Sequence, residues 1–448
     1  MATSLSQLVQ RLRWHIERPT SILPLVVFRI GFGILMLVGT VRFVHNGWVG
    51  TFYIQPVFHF TYLGFGWVKP LPAPAIYLVF AALALFSIFI AVGLFYRVSA
   101  VAFFILFTYV ELLDQAFYLN HYYLVSLLSF LLIFLPAHRK WSLDSLRRPA
   151  LRTDVIPAWA IDALRLQIGI VYVLAGIAKL NADWLFSAMP LTIWLRANTD
   201  FPLIGSLFDQ RWVAYLFSWG GALYDLTIPF FLLWRKTRFL ALVTVVVFHI
   251  MTEMLFPIGM FPWIMIVSSF IFLDEVDYRV IVRVLRLPVF IASLENSLSM
   301  PTTSRAALIF VPFFILQLLL PMRFLLYPGN VLWSEEGFRF SWRVMLVEKA
   351  GAVTFFVRDP ASGRQWTVNP GDYLTRVQEA QMSFQPDMIL QFAHFLADRF
   401  RQQEYTDVEV RAEAYVSFNG RASRLLIAPT VDLAREPITI FHKPWILP

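Results

Sequence analysis

Residues 171–184 read VYVLAGIAKLNADW and close a long apolar segment that carries a lysine at position 179. The full segment, from 159 to 180, is long enough to cross a bilayer as a helix, because about 20 apolar residues span the hydrocarbon core. A charged side chain beside hydrocarbon is costly, so Lys179 either extends its amine to the membrane interface or takes part in chemistry. The arrangement of the other segments decides between these explanations.

The composition indicates a polytopic membrane protein. Of the 448 residues, 58% are hydrophobic and only 15% are charged. Apolar segments predict transmembrane helices at residues 22–44, 75–95, 97–113, 119–136, 159–180, 213–234, 238–256, 258–273 and 306–327. We therefore expect an all-α polytopic membrane bundle of about nine transmembrane helices, followed by a small C-terminal extracytoplasmic α+β domain.

The chain divides into three predicted regions. Residues 1–20, in which three arginines stand among leucines, predict a cytoplasmic interfacial helix. Residues 21–327 form the predicted transmembrane bundle. Residues 328–448 are more polar and form the predicted extracytoplasmic domain.

The predicted outer domain contains patterns of both strands and helices. Alternating apolar and polar residues on both sides of a Pro/Ser/Gly turn predict a hairpin over 352–371. Helical periodicity predicts a helix over 388–403. Two more strands are expected around the turn pair Asn419-Gly420.

Basic residues predict the orientation of the bundle. The predicted outer loops hold few of them: Arg42, Lys69, Arg196 and Arg211. Basic loops stay on the cytoplasmic side, so we expect a cytoplasmic N-terminus and an extracytoplasmic C-terminal domain. This distribution explains the net charge of +8 without nucleic acid as a partner. The lack of cysteine and of Asn-x-Ser/Thr sequons favours a bacterial inner membrane.

Polar residues from several helices are predicted at one depth, near the outer ends of the spans. They are Asp114, His121, Lys179, Asp183, His249 and Glu253. Their common level predicts a cavity beneath the outer domain. His249 and Glu253 have the spacing of two metal ligands, but no third ligand can be identified, so no metal is expected. Four charged residues lie deeper, in the inner half or middle of their predicted spans, and are expected to form ion pairs between neighbouring helices: Arg29, Asp162, Arg165 and Asp225.

A lysine at such a cavity has a chemical use. Burial in an apolar pocket disfavours the charged form of an amine, and the neutral amine then acts as a base or a nucleophile. A nearby histidine can donate a hydrogen bond to an oxyanion. An enzyme acting on a lipid-soluble substrate fits this pattern, whereas Lys179 at the interface and His121 and His249 as ordinary core residues remain the alternatives.

Eight stretches, in order and with similar spacing, resemble vitamin K-dependent gamma-carboxylase, a member of the wider HTTM membrane family. They are RPTSILPLVVFRIGFGILM (18–36), LNHYYLVSLLSF (119–130), LRLQIGIVYVLAGIAKLNADW (164–184), WGGALYDLTIPFFLL (219–233), FHIMTEMLFPIGMF (248–261), GFRFSWRVML (337–346), VNPGDY (368–373) and AYVSFNGR (414–421). The resemblance covers nearly the whole chain. The last three stretches connect it to carboxylase-like members in particular.

The resemblance implies a coupled reaction without a metal. Vitamin K hydroquinone, or a menaquinol-type reduced naphthoquinone, reacts with dioxygen and becomes an epoxide through a strongly basic alkoxide. The alkoxide removes a proton from the γ carbon of a glutamate, and the carbanion captures carbon dioxide. The implied partners are membrane lipid, the lipid-soluble quinol and a glutamate-containing secreted peptide or protein.

The resemblance also implies roles for individual residues. Lys179 matches the base that begins quinol deprotonation, and His121 matches the histidine that supports the developing oxyanion. Asn120, beside His121, and His249 are expected to bind the quinone cofactor.

Ser341 and Trp342 match the Ser-Trp pair near the glutamate-handling region, so we expect them to bind substrate. Two departures from the family pattern are Ala178, where a second lysine is frequent, and Asn181, where an aspartate is usual. The GFRFSW segment is also one residue shorter than its family counterpart. Quinol epoxidation without carboxylation and a non-enzymatic lipid- or peptide-handling role are therefore the competing hypotheses.

Overall fold

The computed structural model describes residues 16–284, 307–403, 405 and 407–448, together with Gln7 and Trp14. Most of the interfacial helix predicted for residues 1–20 lies outside the described residues. The described chain is mainly helical and ends in a smaller domain that contains a β-sheet.

Helices make up the first part of the chain. They are α1 (Leu23–His45), α2 (Ala73–Val92), α3 (Tyr96–Leu112), α4 (Asn120–Phe134), α5 (Leu143–Arg147), α6 (Trp159–Ala178), α7 (Ala182–Ser187), α8 (Leu191–Arg196), α9 (Arg211–Leu233), α10 (Arg238–Leu255), α11 (Phe261–Ser269), α12 (Glu275–Val284) and α13 (Ala307–Met322). Strands β1 (Pro19–Ser21) and β2 (Val155–Pro157) pair antiparallel. This pairing joins the chain before α1 to the chain before α6.

Six helical segments of the described chain are long and apolar enough to cross a membrane, which indicates a multi-pass membrane protein. They are Leu23–His45, Ala73–Val92, Trp159–Ala178, Arg211–Leu233, Arg238–Leu255 and Leu308–Leu326. The predicted number of nine spans is not confirmed, because α3, α4 and α11 have 17, 15 and 9 residues. At about 1.5 Å per residue, α4 is about 22 Å long, short of a hydrocarbon core of about 30 Å.

Local sequence explains two of the short helices. Helix α4 ends at Phe134 because Leu135 is extended and precedes Pro136, and the residue before a proline disfavours the helical conformation. Helix α11 begins just after Gly259, whose φ is +68°, and continues after Ser269 as a 3-10 turn.

Close helix contacts hold the bundle together. A Cβ added at Gly33 of α1 would lie 2.6 Å from the backbone nitrogen of Ala91 in α2. A Cβ added at Gly176 of α6 would lie 2.9 Å from the backbone nitrogen of Leu226 in α9. These glycines allow each pair of backbones to approach closely, as small residues do at helix interfaces in membranes.

The buried charges are satisfied differently from the predicted interhelical ion pairs. Arg29 is fully buried and donates hydrogen bonds to the carbonyl oxygens of Ala137 at 2.8 Å, Lys140 at 3.3 Å and Trp141 at 2.5 Å. Asp162 and Arg165 do form an ion pair, at 3.3 Å, but within α6. The prediction of a pair between helices is therefore wrong for these three residues. A guanidinium group can satisfy several carbonyl oxygens, so Arg29 needs no carboxylate.

The C-terminal domain has the predicted α+β architecture. Its sheet is antiparallel in the order β4-β3-β5-β6. The elements of the domain are α14 (Val331–Ser334), β3 (Lys349–Arg358), β4 (Gln365–Val368), α15 (Arg376–Met382), α16 (Pro386–Arg401), β5 (Glu409–Phe418) and β6 (Arg424–Leu425). Phe392 of α16 packs on Phe355 of β3, with ring centroids 5.0 Å apart, so the helix covers one face of the sheet.

Hydrogen bonds fix the C-terminal domain on one end of the bundle. The carboxylate of Asp114, after α3, accepts a hydrogen bond from Gln378 of α15 at 2.8 Å and lies 3.1 Å from the His59 ring nitrogen. Gln391 of α16 accepts a hydrogen bond from the backbone nitrogen of Thr61 at 2.9 Å. Asp114, predicted to lie at the level of the cavity, therefore attaches the domain to the bundle.

Candidate active site

Lys179 lies at the C-terminal end of α6 and is buried. Its Nζ donates a hydrogen bond to Asp225 Oδ2 of α9 at 2.6 Å, and each residue is 7% exposed. The amine also lies 5.4 Å from the centroid of the Trp184 ring. Because the amine points into the bundle, it does not extend to the molecular surface.

The sequence did not identify Asp225 as the partner of Lys179. Asp225 lies 14 residues into α9, or about 21 Å along its axis, and was predicted to lie deeper than the lysine. The close contact between Gly176 and Leu226 sets the register of the two helices and brings Asp225 to the end of α6. The aspartate inside the stretch WGGALYDLTIPFFLL was the available signal, since a charge in an apolar helix needs a partner.

A cavity of about 370 Å³ adjoins this ion pair. Lys179, Asp225 and His249 line it, and most of the remaining wall is aromatic or aliphatic. Two of the rings in this wall belong to Tyr172 and Tyr224. We call this space the first cavity, and it brings Lys179 and His249 together.

His249 has a defined orientation in the first cavity. Its Nδ1 lies 2.9 Å from the carbonyl oxygen of Val245, which can only accept a hydrogen bond. Nδ1 therefore carries a hydrogen, and the neutral ring leaves Nε2 as an acceptor. The ring centroid is 6.2 Å from those of Tyr172 and Tyr224 and 5.9 Å from that of Phe261.

His121 and Asn120 line a neighbouring space of about 500 Å³, which we call the second cavity. The two cavities share Phe261, Val344 and Met345 as lining residues. The His121 ring centroid lies 6.1 Å from that of Phe261. Lys179 and His121 thus lie in adjacent cavities, whereas the sequence predicted a single cavity for both.

Asn120 fastens the start of α4 to the C-terminal domain. Its Nδ2 donates to the carbonyl oxygen of Arg343 at 3.3 Å, and its Oδ1 accepts from the Tyr118 hydroxyl at 3.0 Å. The same hydroxyl accepts a hydrogen bond from the backbone nitrogen of Phe340 at 2.8 Å. These bonds position the 340–345 segment over the second cavity.

Ser341 and Trp342 are buried and line neither cavity. Ser341 Oγ donates to the carbonyl oxygen of Phe338, and the Trp342 ring stacks on Tyr123 with centroids 5.1 Å apart. Their role in substrate binding stays a prediction. The residues that face the cavities from this segment follow directly, at 343–345.

The chain after Lys179 is tied to the sheet of the C-terminal domain. Asn181 caps α7, since its Oδ1 accepts from the backbone nitrogen of Trp184 at 3.0 Å. Asp183 accepts hydrogen bonds from Asn419 at 2.9 Å and from Arg421 at 2.8 Å. The hydrogen bond from Arg421 holds the pKa of the Asp183 carboxyl below its usual range. Asparagine at 181 thus retains the capping function that an aspartate would supply.

Metal coordination finds no support in the part of the chain that the structure describes. Among those residues, no group of three or more His, Cys, Asp or Glu side chains could hold an ion. Glu253, one turn from His249, has a buried Oε2 without a described hydrogen-bonding partner. It does not line the first or the second cavity.

The fold and the site define a class, a multi-pass helical membrane protein with a buried lysine at an apolar cavity beneath an α+β domain. Residues 17–276 match the HTTM domain, and residues 302–448 match the vitamin K-dependent gamma-carboxylase lumenal domain. The chain belongs to the HTTM family and is a vitamin K-dependent gamma-carboxylase-like protein. The resemblance of the eight stretches is thereby confirmed. No solved structure matches the chain.

Proposed function

We propose that this protein oxygenates a reduced naphthoquinone in the first cavity and couples the oxygenation to carboxylation of a glutamate γ carbon. The observation that carries the proposal is the Lys179–Asp225 pair, buried in the wall of an apolar cavity. Neither residue is placed there by packing requirements alone, since burying two charges costs more than burying two apolar side chains of similar size.

The first cavity fits a bicyclic quinol. Its volume of about 370 Å³ falls in the range of small-molecule sites, which runs from about 300 to 1,000 Å³. Aromatic walls suit a flat ring system, and Lys179, Asp225 and His249 supply polar atoms for its two oxygens. The quinol and dioxygen together supply the oxidative driving force and the strong base that removal of a γ proton requires.

The Lys179–Asp225 pair receives the first proton from a quinol hydroxyl. As a unit the pair is electrically neutral before it takes the proton and cationic afterwards. The positive charge then lies beside the oxygen that has lost its proton, so no isolated charge remains in the apolar interior. Asp225 also holds the Lys179 amine at the cavity wall through the 2.6 Å hydrogen bond.

The histidines serve the two cavities separately. His249 orients a ring hydroxyl through Nε2, because Nδ1 is already bonded to the Val245 carbonyl. No described residue hydrogen-bonds the ring nitrogens of His121, so they remain available to an oxyanion in the second cavity.

The adjacent cavities explain how oxygenation and carboxylation can be coupled. The γ carbon of a glutamate in the second cavity would lose a proton to base generated in the first, across the wall formed by Phe261, Val344 and Met345. The γ carbon then forms a bond to carbon dioxide. One oxygen atom of dioxygen remains in the epoxide, and the other takes up the abstracted proton and leaves as water. The glutamate comes from a secreted peptide or protein if the C-terminal domain is extracytoplasmic, the orientation that the basic loops predict.

One experiment tests this function. Purified protein in detergent is supplied with reduced vitamin K, dioxygen and labelled bicarbonate, with and without a glutamate peptide. We expect epoxide and labelled peptide from the wild type, a loss of both on the order of 100-fold or more in Lys179→Met, and wild-type activity in the exposed control Lys69→Met. Wild-type protein that makes neither product contradicts the proposal and favours a non-enzymatic lipid- or peptide-handling role.

A second candidate is quinol epoxidation without carboxylation. It is favoured by the burial of Ser341 and Trp342, which leaves the predicted glutamate-binding side chains outside both cavities. Epoxide without incorporated label, whatever the peptide, would support this candidate in the same experiment.

A further inference from the structure

Two arginines line the second cavity and have no ion-pair partner among the residues that the structure describes. Arg42 lies in the last turn of α1, and Arg343 follows the Ser341-Trp342 pair. Among the described residues, neither guanidinium group donates a hydrogen bond or lies within 4.0 Å of a carboxylate. Arg29 and Arg165, by contrast, each bind several oxygen atoms.

Arg343 is the more unusual of the two because it is only 7% exposed. Its guanidinium carbon lies 4.1 Å from the centroid of the Phe324 ring, and burial lowers its pKa to about 10. Buried cations are normally paired, since desolvation without compensation is costly. An unpaired buried arginine at a cavity therefore indicates a site for an anion.

Arg42 supplies a second cation to the cavity, from a helix that is far from Arg343 in sequence. Arg42 is exposed, lines the cavity and has its guanidinium carbon 5.2 Å from the centroid of the Trp48 ring. Glu253 is near enough to interact electrostatically with Arg42, but the two form no ion pair and Glu253 does not line the cavity. The carboxylates of the described chain therefore leave both arginines available to a ligand.

We infer that Arg42 and Arg343 bind the side-chain carboxylate of the substrate glutamate in the second cavity. The inference rests on the proposed function and names its substrate site. Guanidinium groups match the geometry of a carboxylate, and such charge-assisted hydrogen bonds are stronger than neutral ones. A carboxylate held there lies beside His121 and Asn120 and next to the wall shared with the first cavity. Glutamine, with the same shape and no charge, lacks this attraction and should bind more weakly.

Binding of short peptides, measured without turnover, tests the inference. Protein in phosphatidylcholine nanodiscs is titrated with a fluorescent peptide that contains one glutamate and with the same peptide containing glutamine. For the wild type we expect a preference for glutamate on the order of 10- to 100-fold, the factor that a charged hydrogen bond contributes. Arg343→Met and Arg42→Met should each lose most of this preference, and Arg343→Lys should keep part of it.

The control is Arg364→Met, which removes an exposed arginine from the β3–β4 turn and should keep the wild-type preference. Thermal unfolding of each variant shows that the fold is retained. A wild type without preference for glutamate, or a preference that survives both arginine substitutions within twofold, overturns the inference. Repeating the titration in nanodiscs of anionic phosphatidylglycerol tells a peptide carboxylate from a lipid headgroup as the bound anion. Displacement of the peptide by this lipid would also overturn the inference.

Failure of the proposed function can be distinguished from failure of this inference. The titration contains no quinol and no dioxygen, so it does not depend on oxygenation. If wild-type protein prefers the glutamate peptide through these arginines and yet forms no epoxide, the carboxylate site stands and the oxygenation hypothesis fails.

Discussion

Asp183 accepts a hydrogen bond at 2.8 Å from Arg421, which lies beyond β5 in the C-terminal domain. Since Asp183 follows Lys179 by four residues, this bond links the sheet of the domain to the chain that carries the candidate base. The link runs through the capped turn at α7, whose Trp184 ring lies 5.4 Å from the Lys179 amine. The C-terminal domain is thus connected to the wall of the first cavity.

The Asp183–Arg421 bond predicts a dependence of stability on pH. The pKa of Asp183 is lower in the folded protein than the value of about 3.9 in an unfolded chain. The bond therefore contributes fully above the unfolded pKa and is lost as the pH falls through the folded pKa. We expect the melting temperature of Asp183→Asn to lie below that of the wild type at pH 7, and the difference to shrink as the pH falls below about 3.9, the pKa of an unfolded chain. A constant difference over this range would contradict the assignment.

Breaking the Lys179–Asp225 pair should destabilise the protein more than replacing it. Lys179→Met leaves an uncompensated carboxylate, at a cost of about 3–5 kcal/mol, whereas the double variant Lys179→Met/Asp225→Leu removes both charges and should recover most of that loss. Chemical unfolding of the single and double variants measures this. If the double variant loses as much stability as both single variants combined, the two residues are not paired.

The contact between Gly176 and Leu226 predicts that any side chain at position 176 of α6 lowers the stability of the protein. Gly176→Ala should cost about 1–3 kcal/mol and lower quinol epoxidation, because the added methyl group separates α6 from α9 and with them Lys179 from Asp225. Gly169→Ala in the same helix is the matched control, since its Cβ would lie 3.9 Å from Pro229. Equal effects of the two substitutions would show that the close approach is not required.

Removal of Arg29 should destabilise the end of the bundle opposite the candidate site. Arg29→Met removes three hydrogen bonds from a charged donor, each worth about 1.5–3 kcal/mol. Thermal unfolding should show a clear decrease for Arg29→Met and almost none for the exposed control Arg148→Met. An Arg29→Met variant that unfolds at the wild-type temperature would contradict this prediction. If the 137–141 segment were then disordered, the arginine would support that segment alone.

Local features of the fold were predictable because short-range chemistry determines them. The hairpin over 352–371 forms as β3 and β4, with Phe355 opposite Val368. The Asn419-Gly420 turn has φ values of +48° and +76°, the conformation for which this pair is favoured. Helix lengths were less predictable, because an apolar segment does not reveal that its helix ends early.

The candidate site was predictable only in part. The ends of the predicted helices place Lys179 and His249 at the same depth in the membrane. The position of Asp225 beside them depends on the register of α6 against α9, which the close contact at Gly176 sets. The separation into two cavities depends on Phe261 and on residues 343–345, which are far apart in sequence. Their meeting results from tertiary packing, to which neither hydropathy nor helical periodicity is sensitive.

Phe261 lies in the wall shared by the two cavities, so the two half-reactions of the proposed function would meet at its ring. A ring that forms part of a partition can swing about its side-chain bonds while the helices around it stay still. Passage between the cavities would then depend on the side chains of this shared wall, Phe261 among them.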